Sequence, residues 1–168
     1  METREKLGMD EYRERYAAFV RFPGRRMDMV RSLMDRILDF DTAEVERFLA
    51  DVVRDEHDPI VRHEAIFLVG VLVNWGMCKG EVAAPLIRRG AIEERSTVVR
   101  HESVEALANF RSVESVGVLE RALQDADADV RATAVISLER LSYQDVDDDA
   151  RLAAQQVLER AGLENSRS

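Results

Sequence analysis

Residues 58–70, DPIVRHEAIFLVG, decide the fold, because the chain writes the same pattern three times. Residues 96–108 read STVVRHESVEALA, and residues 127–139 read DADVRATAVISLE. Val-Arg pairs mark the register at Val61-Arg62, Val99-Arg100 and Val130-Arg131, and a fainter copy stands at Val30-Arg31. Successive copies are 31, 38 and 31 residues apart, which leaves room for two helices each. A repeat of this period is the sequence signature of a stacked architecture in which each unit buries a face on its neighbour.

Each clear copy opens with a helix start. Asp58, Ser96 and Asp127 sit three residues before the shared valine, where a short oxygen-bearing side chain caps free backbone amides. Pro59 follows at the first helical position, where its missing N–H costs nothing. Apolar residues then fall on one helical face, at Val61, Ala65, Leu68, Val69 and Leu72, and correspondingly at Val99, Val104, Leu107 and at Val130, Ala134, Leu138, Leu141. These are the second helices of each pair. Residues 42–53, 81–89 and 113–123 read as the first helices, with Asp41 and Glu44 as a capping box and Gly90 as a stop. The stretch 74–80, with Gly76 and Gly80, carries most of the extra length of the middle period. A helix over residues 10–22 stops at Pro23-Gly24, and an amphipathic helix over residues 147–160 ends at Gly162. The fold class expected is all-α, an α-solenoid of about four helix pairs in one domain, residues 1–168, with the clear repeats over about 25–160 and an extended surface lined by the second helices.

Composition narrows the function. With 168 residues, 46% hydrophobic and 34% charged, the chain has the apolar material for one core and too much charge for a bilayer. Its longest apolar stretch, residues 65–73, is far short of the ~20 residues of a membrane span. The opening Met1-Glu2-Thr3-Arg4-Glu5-Lys6 has no apolar core and does not read as a secretory signal, so a cytoplasmic location is expected. A net charge of -9 argues against nucleic acid, whose phosphates reward a basic surface. One cysteine, Cys78, allows no internal disulfide and no thiolate zinc cluster.

The dipeptide after Val-Arg separates the copies: His63-Glu64, His101-Glu102, then Ala132-Thr133, with Ser32-Leu33 in the first. Only three histidines occur, and two occupy equivalent positions of adjacent repeats, each followed by glutamate. Stacked helices pack about 8–10 Å apart, a gap that His and Glu side chains can close. Two imidazoles and two carboxylates form a nitrogen–oxygen donor set suited to iron, manganese or zinc, with positions left for water or oxygen. One chain supplies four donors, enough for a mononuclear site. Two chains facing each other supply eight, which would suit a metal pair about 3.5–4 Å apart. Beside this stands an inert reading, in which duplication copied a solvated His-Glu that does nothing.

Val61-Arg-His-Glu-Ala-Ile-Phe-Leu-Val-Gly and Val99-Arg-His-Glu-Ser-Val-Glu-Ala-Leu-Ala resemble the His-Glu motif repeats of deoxyhypusine hydroxylase, a HEAT-repeat protein with a non-haem di-iron centre between two similar halves. The repeats themselves are HEAT-like, similar to the short variety of phycobilisome lyases. Over roughly residues 25–160 the chain resembles one such half. The resemblance implies that His63, Glu64, His101 and Glu102 are iron ligands and that a homodimer restores the missing half. The chain departs from it in having two motifs rather than four, and Ser103 and Ala108 where the earlier copy has Ala65 and Gly70. The expected function is therefore a metal-binding, non-haem di-iron oxygenase or hydroxylase with its site shared across a homodimer, acting on an undetermined substrate. Deoxyhypusine itself does not transfer, because no residues match a site for that side chain. The alternative is a non-catalytic adaptor that binds a protein partner on its concave surface, and a bilin-handling lyase or chaperone rests on repeat type alone.

Other residues carry less. His57, in the turn before the second copy, reads as a solvated histidine or a hydrogen-bond partner to a ligand. Trp75 and Cys78 lie in the middle loop, as loop anchor and inert thiol or as part of a lid. The acidic run Asp145, Asp147, Asp148, Asp149 lacks the pattern of a calcium loop and reads as a helix start. No nucleophile motif and no phosphate loop occurs.

Overall fold

The computed structural model describes residues 8–143 and 147–163. The opening residues 1–7 and Asp145 of the acidic run lie outside them. The elements are α1 (Met9–Ala18), α2 (Pro23–Arg36) with a short 3-10 turn at Ile37–Asp39, α3 (Thr42–Asp55), α4 (Pro59–Asn74), α5 (Ala84–Glu93), α6 (Thr97–Phe110), α7 (Val113–Ala122), α8 (Ala128–Tyr143) and α9 (Asp148–Arg160). No strand occurs among the described residues. Helices α2, α4, α6 and α8 pack in series as one layer, and α3, α5, α7 and α9 as the other. This is an α-solenoid of HEAT-like helix pairs, as the repeat implied. No described helix is long and apolar enough to cross a membrane.

The layers follow from the periodicity. Val61, Ala65, Leu68, Val69 and Leu72 are all buried, as are Val99, Val104, Leu107 and Val130, Ala134, Leu138, Leu141. Each full burial of a Val or Leu side chain contributes about 1.5–3 kcal/mol against its exposed state. The caps form largely as the sequence implies. Asp41 accepts from the amides of Ala43 and Glu44, Asp58 from those of Ile60 and Val61, and Asp127 from those of Asp129 and Val130. Ser96 is the exception, since its hydroxyl caps nothing. There Glu94 accepts from the amides of Arg95 and Ser96, as Glu56 and Asp125 accept from those of Asp58 and Asp127 in the copies that are capped.

Three boundaries differ from the sequence reading. The first helix ends at Ala18 rather than residue 22, and Pro23 opens α2 as its first residue. Helix α5 begins at Ala84 rather than residue 81, with Pro85 in its first turn. Gly90 does not stop α5, which runs on to Glu93. A Cβ at Gly90 would stand 3.1 Å from Ser103 Oγ, so this glycine serves the close approach of α5 to α6. Gly70 does the same for α4 and α6, where a Cβ would meet Asn109 Nδ2 at 3.1 Å and Ala106 Cβ at 3.3 Å. Between α4 and α5 the extra residues turn on Gly76 and Gly80, both at positive φ.

Candidate metal centre

The arginine of each Val-Arg pair fixes the helix starts on which the site stands. Arg62 Nη1 donates to the carbonyls of Glu56 and His57, at 2.7 and 2.9 Å, and Arg100 Nη1 to those of Glu94 and Arg95, at 3.0 and 3.3 Å. Arg131 Nη1 repeats this with Asp125 and Ala126 at 2.7 and 3.0 Å. Two of these guanidinium groups also reach the next repeat. Arg62 Nη2 lies 3.1 Å from Glu94 Oε1, and Arg100 Nε 2.8 Å from Asp125 Oδ2. The ladder thus ties each second helix to the turn before it and to its successor, and the following dipeptide is carried into register.

His63 on α4 and Glu102 on α6 are joined, Nε2 to Oε2 at 3.0 Å. Glu102 is only 6% exposed, so its charge is withdrawn from water and needs this partner. The hydrogen bond to Glu102 raises the imidazole of His63 above its ordinary pKa, and burial only partly opposes it. Glu64, 8% exposed, is instead held by Arg31 Nε of α2 at 3.0 Å. His101 gathers with Glu102 and Glu105, one donor atom from each lying within 4.8 Å of the others. The structure therefore joins His63 to Glu102, sets His101 beside Glu102, and turns Glu64 toward α2.

Two residues of this neighbourhood escaped the sequence reading. Glu105 lies four residues after His101, one helical turn on, and the i, i+4 rule applied to His101 would have found it. Arg31 belongs to the faint first copy, whose own His-Glu position holds Ser32-Leu33, so only the packing of α2 on α4 brings it to Glu64. His57 is exposed, and its carbonyl serves Arg62. Trp75 is exposed, while burial and neighbouring Glu46 push the half-buried Cys78 thiol up to about 11, which suits an inert thiol. The clefts beside the arginine ladder, one of about 420 Å³ at Arg62 and Glu94 and one of about 360 Å³ at Tyr16 and Glu56, contain none of the four His-Glu residues.

The donor chemistry fits a divalent metal. Imidazole nitrogen and carboxylate oxygen together suit iron, manganese or zinc, and the two buried carboxylates are the kind of groups that a cation stabilises.

The fold and this constellation define the class: an α-solenoid of HEAT-like helix pairs with His-Glu dipeptides at equivalent positions of two consecutive repeats. Residues 84–161 match the family of HEAT repeats. Among curated proteins the chain is similar to part of deoxyhypusine hydroxylase. It is 28% identical to that of Kluyveromyces lactis over 102 residues, 60% of this chain and 30% of the relative. With that of Candida albicans it shares 30% identity over 106 residues, 63% of this chain and 31% of the relative. That of Eremothecium gossypii is 32% identical over 85 residues, 51% of this chain and 25% of the relative. The chain spans less than a third of the length of the curated relatives it matches.

Proposed function

We propose that this protein is a metal-dependent hydroxylase or oxygenase that holds non-haem iron through His63, Glu64, His101 and Glu102, with a di-iron site completed across a homodimer. The observation that carries the reading is the pairing of His63 with Glu102 across α4 and α6. It brings residues of two repeated His-Glu dipeptides together at the surface. The likeness to deoxyhypusine hydroxylases supports the same chemistry, over the part of those proteins that this chain covers.

The chain's own contribution is positional. The Arg62 and Arg100 ladder fixes the starts of α4 and α6, and farther along the two helices Gly70 admits the close packing of α4 on Ala106 and Asn109 of α6. Arg31 and His63 pair with the buried carboxylates of Glu64 and Glu102, so these side chains are already ordered before a metal exchanges for the pairings. Bound iron would supply the oxygen chemistry that no side chain of this protein can supply alone. Phe67 on α4 and Ile136 on α8 are exposed at equivalent positions of that layer, which gives a second copy apolar surface to cover.

The test is anaerobic loading with ferrous iron, followed by size-exclusion chromatography with light scattering and elemental analysis of the peak. About two irons per dimer are expected, lost in His63→Ala and His101→Ala, with new near-ultraviolet or visible absorption on exposure to air. A metal-free monomer, or unchanged iron content in both variants, refutes the proposal and leaves a scaffold for protein partners.

A further inference from the structure

We propose that Glu105 is a further metal ligand, so that His101, Glu102 and Glu105 of α6 together hold one divalent cation within a single chain. The inference rests on the metal reading above and adds to it a residue outside both His-Glu dipeptides.

Geometry is the first support. The three donors are separated by one, three and four positions on one helix, so a single turn presents them together, and their ligand atoms lie within 4.8 Å of one another. No second helix and no second copy is needed to assemble them.

The state of Glu102 is the second. Its side chain is more than nine-tenths buried, and Oε2 is taken by His63 Nε2 at 3.0 Å. A carboxylate largely drawn out of water, paired with one imidazole and lying beside two further donors, is a group whose charge a cation stabilises. A cation held by Glu102, His101 and Glu105 adds to the stabilisation that His63 gives this carboxylate.

Position in the repeat is the third. The residues equivalent to Glu105 are Phe67 on α4 and Ile136 on α8, both exposed and apolar. A carboxylate stands at this position only in the copy where it meets a histidine and a buried glutamate. The Arg140 guanidinium of α8 does not close the site. Arg140 Nη2 donates to Asn109 Oδ1 at 2.6 Å, and its guanidinium feels the charge of Glu105 without forming an ion pair with it. One nitrogen and two carboxylate oxygens suit ferrous iron, manganese, cobalt or zinc, with the remaining positions left to water.

The experiment is a cobalt(II) titration of the metal-free full chain, followed by visible absorption. It compares wild type, Glu105→Gln, Glu105→Asp, His101→Ala and, as a charge control at an exposed glutamate of α9, Glu159→Gln. Glu105 is exposed, and far-ultraviolet circular dichroism checks that each variant is folded. One cobalt per chain is expected, with affinity about tenfold or more weaker in Glu105→Gln, partly restored in Glu105→Asp and unchanged in Glu159→Gln. If Glu105→Gln titrates like wild type while His101→Ala abolishes binding, the assignment of Glu105 falls and the His-Glu reading stands. Equal weakening by Glu159→Gln also overturns it, by showing a general effect of charge. A wild-type chain that takes up no cobalt sinks both readings.

Discussion

Replacing Arg100 with alanine tests the repeat's organising contact. The side chain makes four hydrogen bonds: Nε and Nη2 to the two oxygens of Asp125 at 2.8 and 2.9 Å, and Nη1 to the carbonyls of Glu94 and Arg95. Both partners of the ion pair are largely covered, at 13% and 10% side-chain exposure. Breaking a fully buried pair costs about 3–5 kcal/mol. Here the pair lies in a turn between repeats, where water reaches Asp125 and the freed carbonyls once the guanidinium is gone, so we expect about 2 kcal/mol. For a domain of this size that is a fall in Tm of about 4–8 °C. Arg100→Lys keeps the charge but loses the paired geometry, and should cost about half as much. The cost should also depend on pH. Arg100 holds the Asp125 carboxyl below the usual carboxylate range, so its contribution is full above the unfolded value near ~3.9 and fades as pH falls through the folded one. Urea denaturation of wild type and Arg100→Ala, followed by circular dichroism at pH 7 and again from pH 5 to 3, measures both. A loss under about 0.5 kcal/mol at pH 7, or a gap that stays constant down to pH 3, would refute the assignment of stability to this pair.

Two further outcomes follow from single sites. Gly76 and Gly80 share the same left-handed backbone, but an added Cβ meets open space at Gly76, while at Gly80 it would stand 2.3 Å from Phe110 Cε1 and 2.8 Å from Val73 Cγ2. Gly76→Ala should therefore cost about 1–2 kcal/mol and Gly80→Ala about 2 kcal/mol more, and equal unfolding midpoints in urea would contradict the packing. The Cys78 thiol, pushed up to about 11, should react slowly with a disulfide reagent at pH 8 in the native protein and at the ordinary rate in urea. Because its folded pKa is raised, its stabilising contribution is full below the unfolded value and is lost as pH rises from about 9 toward 11. Fast labelling at pH 8 without denaturant would rule this out.

Most of the fold was legible because period and burial are coupled. Val61, Val99 and Val130 stand at one point of the repeat, and all three are buried on the same layer. What could not be read were helix limits set by contacts rather than by local propensity. Gly90 looks like a stop when only its own helix is considered, yet its role is to admit Ser103 of the next helix. Ser96 looks like a cap, but its hydroxyl takes no amide, and that turn is held by Glu94 and by the carbonyl bonds of Arg100. Pro23 reads in the sequence as the stop of one helical pattern, and the packing makes it the first residue of the next, a position its fixed φ suits equally well.

The site divides in the same way. That His63, Glu64, His101 and Glu102 share equivalent positions is a property of the sequence, while which of them meet is a property of the packing. His63 finds the glutamate of the next copy rather than its own, and Glu64 finds Arg31 of the copy before. Each carboxylate thus faces the preceding helix of its layer, with an arginine as partner in one case and an imidazole in the other. An arginine neutralises its partner permanently, whereas an imidazole can give up its proton and leave a donor set able to take a metal. The exchange of Arg31 for His63 along the series therefore leaves Glu102 beside a second metal donor, while Glu64 must give up an arginine before it can take a metal. On this argument Glu102, which already lies beside His63 and His101, is where a metal first gathers its donors, and Glu64 joins only on release from Arg31.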